Sequence, residues 1–181
     1  MPHQVTPSRR KFRIAKLFVK ELHKIFGEEL KAAFIAGSVA ANMALPESDI
    51  DLVLVYLRPH SSSDKSIENR KKARELESEF KRKLNAEIND SVLSQSEFEN
   101  LQYLSTANSV LAADFKSIAE ILSHGAVPIF GSKEYLQVLK GKAYNLPRFD
   151  GIKARGKYFE SMKKRTMFKR SKKGRQRFFV R

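Results

Sequence analysis

The chain has 181 residues, 41% of them hydrophobic and 30% charged, no cysteine, and a formal net charge of +15. That length suits one domain with a real core, and the lack of thiols excludes a disulfide frame or a thiolate metal site and favours a reducing compartment. The start, "MPHQVTPSRRKF", has no secretory apolar core, and no apolar run nears the ~18 residues of a membrane span, so a cytoplasmic protein without membrane contact is expected.

Apolar residues recur at helical spacing from Ser8 to Phe26, through Ile14, Leu17, Phe18, Leu22 and Ile25, with Gly27 as a stop. "LKAAFIAG" reads as a buried strand ending at Gly37. "SVAANMAL" reads as a brief helix closed by Pro46, and "SDIDLVLVY" as a second strand ended by the "RPHSSSD" loop. A long amphipathic helix follows over Asp64–Leu84, with Ile67, Ala73, Leu76, Phe80 and Leu84 on one face. Glu68/Lys72, Glu77/Lys81 and Glu79/Lys83 form i,i+4 pairs on the other. "AEINDSVLS" is a third strand, and Ser96–His124 is helical with a break near Asn108. "AVPIF" is an edge strand, since its proline cannot sit in a central ladder, and a last helix covers Lys133–Lys140. Alternating strands and helices predict an α/β (α+β) fold, a small mixed sheet flanked by helices, over residues 1–150.

Residues 151–181 are of a different kind. They hold 13 Lys or Arg and one acid, Glu160, interleaved with Tyr158, Phe159, Phe168, Phe178 and Phe179, whereas the first 150 residues are almost balanced at 22 basic and 19 acidic side chains. Such a stretch neutralises phosphates and stacks on unpaired bases, so this basic tail is expected to contact nucleic acid. The plainer alternative is a solubilising or partner-docking tail.

The chemistry concentrates in Ala36–Val55, "AGSVAANMALPESDIDLVLV". Asp49 and Asp51, at i and i+2 on a strand, project from the same face, and two like charges there cost repulsion and desolvation. A divalent cation removes that cost: Mg²⁺ takes hard oxygen ligands, often one or two carboxylates plus substrate phosphates. Gly37 allows close backbone approach to a ligand, and Ser38 begins a helix whose N–H groups favour an anion. His3, His23, His60 and His124 lack metal-ligand spacing; His60 alone is placed in the loop leaving the Asp-x-Asp strand. "SSSD" at 61–64 reads as a loop and helix cap.

Strand, Gly-Ser, ten residues and Asp-Ile-Asp together resemble the signature of the DNA polymerase beta-type nucleotidyltransferases, in particular their minimal branch. "ILSHGAVPIFGSKEYLQVL" is similar to the ending of minimal members. The resemblance implies that Gly37 and Ser38 hold the triphosphate of an NTP and that Asp49 and Asp51 bind Mg²⁺. The implied reaction transfers a nucleoside monophosphate to an acceptor hydroxyl, here an RNA brought by the tail. A protein hydroxyl is the alternative acceptor, and a decayed, binding-only relative is the non-enzymatic one. The family also implies a third acid on the next strand that completes the metal site and helps deprotonate the acceptor. The candidates are Glu87 and Asp90, which face opposite sides of a regular strand; Glu87 is preferred because Ile88 and Val92 then fill the core. Many relatives carry an arginine shortly after Gly-Ser, where this chain has Val39, Ala40, Ala41 and Asn42, so phosphate charge must be met by basic groups from elsewhere.

Overall fold

In a computed structural model, residues 6–58, 63–106, 112–124 and 126–131 are described. The expectations for His3, His60, Asn108, Lys133–Lys140 and the basic tail fall outside them.

The first helix, α1, covers Pro7–Phe26. Thr6 caps it by accepting from Arg9 N, and Pro7 sits where a missing N–H costs nothing. Gly27, at φ 55°, ends it and leads through a single 3-10 turn into β1, Leu30–Ile35. The short α2 spans only Gly37–Ala40. It stops before the Leu45 expected from helix formers because Asn42 turns left-handed at φ 55° and Met43 N donates back to Ser38 O at 2.8 Å. Next come β2, Ile50–Tyr56, the long α3, Asp64–Leu84, and β3, Ile88–Ser94.

The expected helical stretch from Ser96 is three pieces: α4, Gln95–Glu99, α5, Leu101–Thr106, and α6, Ala112–His124. A capping box opens α4, with the Ser94 side chain accepting from Glu97 N and the Glu97 carboxylate accepting from Ser94 N at 2.7 Å. Finally β4, Val127–Gly131, lies at a sheet edge, where Pro128 is tolerated.

The sheet order is β3-β2-β1-β4. β1 pairs antiparallel with β2 and β4, while β2 and β3 are parallel, so the sheet is mixed and α3 serves as the crossover a parallel pair requires. Side-chain alternation splits the core into two faces. Ile35, Leu52 and Leu54 pack under α1 and α3 with Phe18 and Leu22, where Phe18 and Phe80 meet edge-on at 5.2 Å. Phe34, Val53, Val55 and Leu93 face Phe98 of α4 and the apolar side of α6, with Phe34 and Phe98 stacked at 6.3 Å.

Two expectations for α3 change. Ile67 is 52% exposed, so burial of α3 is concentrated toward Phe80. Lys72 and Lys83 pair with Glu68 and Glu79 as their spacing suggests, but Lys81 reaches Glu87 instead of Glu77.

Candidate active site

Gly37 follows β1 through Ala36, and Asp51 lies one residue into β2, the antiparallel neighbour of β1. A hydrogen bond from Ala36 N to Asp51 O, 2.9 Å, ties the two segments together. Gly37 has φ +61°, a left-handed conformation that L side chains rarely adopt, and a Cβ built there would collide with Asp51 Oδ2 and lie 3.0 Å from Asp51 Cγ. The glycine is required twice, by its backbone and by the carboxylate lying against it. Ser38 follows in the first turn of α2 and is half-buried.

Asp49 precedes β2 and is also half-buried. Its Oδ2 accepts from Asn89 Nδ2 at 2.8 Å. Asn89 is level with Asp51 across the parallel β2–β3 pair, so an amide stands beside the aspartates on this strand. In the sequence Asn89 lies between the two acids weighed for the third-acid role.

Those two acids go to different places. Glu87 sits ahead of β3 with its backbone beside the Asp-x-Asp segment, because Ile50 N donates to Glu87 O at 2.8 Å. Its Oε1 is 2.9 Å from Lys81 Nζ, in a largely exposed pair. Asp90 is level with Leu52, on the α1/α3 face of the sheet, and its charge acts on Tyr56 and Glu77.

One side chain not singled out from the sequence belongs near this group. Lys11 of α1 is 5% exposed. Burial holds its ammonium below the usual lysine range, with Arg10 adding to the effect, while the charges of Asp49 and Glu47 oppose it. The anchor for α1 here is Ser8, whose Oγ accepts from Ala44 N at 2.9 Å in a buried contact. Arg9 and Phe12 of α1 share an open recess with Val39, Ala40 and Asn42. Helix α1 therefore brings positive charge to the segment that lacks an arginine of its own. The amphipathic pattern of α1 located the helix but gave Lys11, on the polar side of the residue alphabet, no reason to be buried.

Two carboxylates on adjoining backbone form a hard-oxygen set of the kind that suits Mg²⁺, and the cradle at Gly37 keeps a side chain from covering Asp51. Among the described residues no group of three His, Cys, Asp or Glu forms a closed cation site. The residues fit an ion that takes its remaining ligands from water and substrate. No described helix is long and apolar enough to cross a membrane.

No curated protein matches the chain. Among solved structures, a crystal structure described as a toxin-antitoxin with AMP-PNP matches at 12% identity and TM-score 0.46, over 81% of this chain and 98% of that one. A tri-AMPylated Shewanella oneidensis HEPN toxin in complex with MNT antitoxin matches at 10% identity and TM-score 0.41, over 83% and 98%. A putative nucleotidyltransferase from Sulfolobus solfataricus matches at 24% identity and TM-score 0.36, over 55% and 84%. The family profile of the nucleotidyltransferase domain matches residues 14–104. That span is just over half of the chain and contains the glycine–serine turn, both aspartates and all of β3, and the protein belongs to the nucleotidyltransferase domain family.

Proposed function

We propose that the protein is a Mg²⁺-dependent enzyme that moves a nucleoside monophosphate from an NTP to an acceptor hydroxyl, and that the acceptor is RNA. The observation that carries the transferase part is the contact of Gly37 with the Asp51 carboxylate inside a matched nucleotidyltransferase domain. In this scheme Asp49 and Asp51 hold the metal, and Glu87, whose backbone adjoins them, is the third acid. An exposed ion pair is worth under ~1 kcal/mol, so its contact with Lys81 is readily exchanged for a cation.

Gly37 and Ser38 receive the triphosphate, Gly37 by close backbone approach and Ser38 by its hydroxyl. Lys11 supplies charge that the residues after Ser38 do not. When bound, the metal stabilises charge on the attacking and leaving oxygens of an in-line displacement. The acceptor oxygen forms the new bond to the α-phosphorus, the bond to pyrophosphate breaks, and the hydroxyl proton leaves toward the Glu87 carboxylate. Asn89 donates to Asp49 and holds that carboxylate in place.

RNA is favoured as acceptor by the charge of residues 151–181, with 13 basic side chains against one acid. The test is incorporation of label from NTP into RNA. Asp49→Ala and Asp51→Ala abolish it, and deletion of residues 151–181 weakens RNA binding while sparing Mg²⁺-dependent NTP binding. Full activity of the truncated protein on RNA would remove the tail from the scheme. A mass increase of whole NMP units on a co-purified protein, without RNA labelling, would move the acceptor to a protein hydroxyl.

A further inference from the structure

A second recess, about 560 Å³, lies between α3 and the outer ends of β2 and β3. Its size is within the ~300–1,000 Å³ usual for small-ligand sites. Tyr56, at the end of β2, lines it five residues beyond Asp51, about 17 Å along a strand. Asp51 shares a side of β2 with Val53 and Val55, whereas Tyr56 shares the opposite one with Leu52 and Leu54. The recess is therefore on the other face of the sheet from the Asp51 carboxylate.

Its lining brings acidic and basic side chains together around one opening. Tyr56 is 6% exposed and lines the recess, and its hydroxyl is not among the buried polar atoms left without a partner. Asp90 and Glu77 line the same recess. Asp90 is exposed at the recess; desolvation by the surrounding protein nevertheless holds both carboxyls above the usual range, opposed at Asp90 by a hydrogen bond from its own backbone, and the charge of Asp90 adds to the effect on Glu77. Around them stand four cations, Arg58, Lys65, Arg70 and Arg74, and a third acid, Glu29. Arg70 donates to Ser66 Oγ at 3.0 Å. None of the described salt bridges engages Arg58, Lys65, Arg74, Glu77 or Asp90.

A simple anion would be repelled by the carboxylates, and a polyamine by the guanidinium groups. The ligand that satisfies both ends carries a phosphate and, at the distance of a ribose, a planar ring edge rich in N–H donors. Arginine side chains take phosphate by paired charge-assisted hydrogen bonds. Guanine offers neighbouring N1–H and N2–H donors to a carboxylate, whereas adenine offers its N6 amino group alone. Apolar walls from Phe26, Ala73 and Val92 suit the faces of the ring.

We propose that this recess is a second nucleotide site, separate from the transfer site, which takes a guanosine monophosphate with its base edge on Asp90 and Glu77 and its phosphate on the arginines of α3. Calorimetry of the full chain with GMP in EDTA silences metal-dependent binding and reads this site alone. One GMP is expected per chain, with guanosine, inorganic phosphate and AMP each at least about tenfold weaker. Asp90→Asn and Arg74→Ala lower GMP affinity by about tenfold, Tyr56→Phe lowers it by about threefold, and Asp51→Asn leaves it unchanged. Tyr56→Phe keeps the ring and so decides the matter if Asp90→Asn or Arg74→Ala fails to fold. No heat at millimolar GMP would overturn the proposal, as would phosphate or AMP binding equal to GMP, or unchanged affinity in the Asp90 and Tyr56 variants. Loss of GMP binding in Asp51→Asn would also overturn it, by placing the nucleotide at the transfer site.

Discussion

Gly37 and Asp51 share a space that no side chain at position 37 can enter, because any Cβ there meets the Asp51 carboxylate. Gly37→Ala therefore has two separate costs. The left-handed backbone costs about 1–2 kcal/mol for a residue with a Cβ, and the collision displaces Asp51. We expect a drop in folding free energy of that order by urea denaturation and a fall in transfer rate of about 100-fold or more, the scale seen when a reacting group is misplaced by about 1 Å. A variant that loses stability but keeps its rate would show that Asp51 has no part in the reaction.

Asn89 can be converted into a test of the metal-binding role of the aspartate pair. Because it is level with Asp51 and donates to Asp49, Asn89→Asp puts a third carboxylate beside the pair. Without metal the added repulsion lowers the melting temperature by several degrees. With Mg²⁺ the deficit is recovered, and metal affinity measured by calorimetry rises by about tenfold or more. Asn89→Ala, which only removes the hydrogen bond, is expected to weaken metal binding by about 10-fold through the freed Asp49.

Lys11→Met separates charge from packing. Methionine keeps the buried aliphatic stem and removes an ammonium whose burial is unfavourable, so stability holds or rises. If Lys11 supplies charge to the triphosphate, the KM for NTP increases by about 10-fold, the loss of one charge-assisted contact, with little change in circular dichroism. An unchanged KM would restrict Lys11 to a structural role.

The recess acids give a pH signature with a definite sign. Asp90 and Glu77 have carboxyl pKa values raised in the folded protein, chiefly by burial. Between the ordinary carboxylate range, about 4, and the raised folded values, the native state holds more protons than the unfolded chain. Stability from these groups is thus fully present at low pH and declines as pH rises through that window. Asp90→Asn removes the neutral-pH penalty, so its melting temperature should exceed that of the parent at pH 7.5, modestly because Asp90 is exposed to screening solvent, and match it near pH 4. The reverse ordering would mean that Asp90 is stabilised as an anion.

Most of this fold was legible because its signals are local. The 3.6-residue spacing located α1 and α3, the β-branched "IDLVLVY" located β2, and Pro128 marked the edge strand. The turn and carboxylate motif also stood out, since Gly37 and Asp51 are of types that such a site needs. What was hidden depends on partners far along the chain. The burial of Lys11 follows from how α1 packs across α2, and the preference of Lys81 for Glu87 over Glu77 follows from where β3 begins. The start of α4 was written in the Ser94–Glu97 capping box, a signature that lies in the sequence, whereas no such local signature marks its end at Asn100.

The strand order has its own corollary. With β3 and β4 at the margins, the segments bearing Gly37 and Asp51 hang from the two inner strands, whose amides are shielded on both sides. Deuterium from solvent should invade α4 and α5 long before it reaches the β1 and β2 amides, so substrate exchange need not loosen the framework that aims these groups.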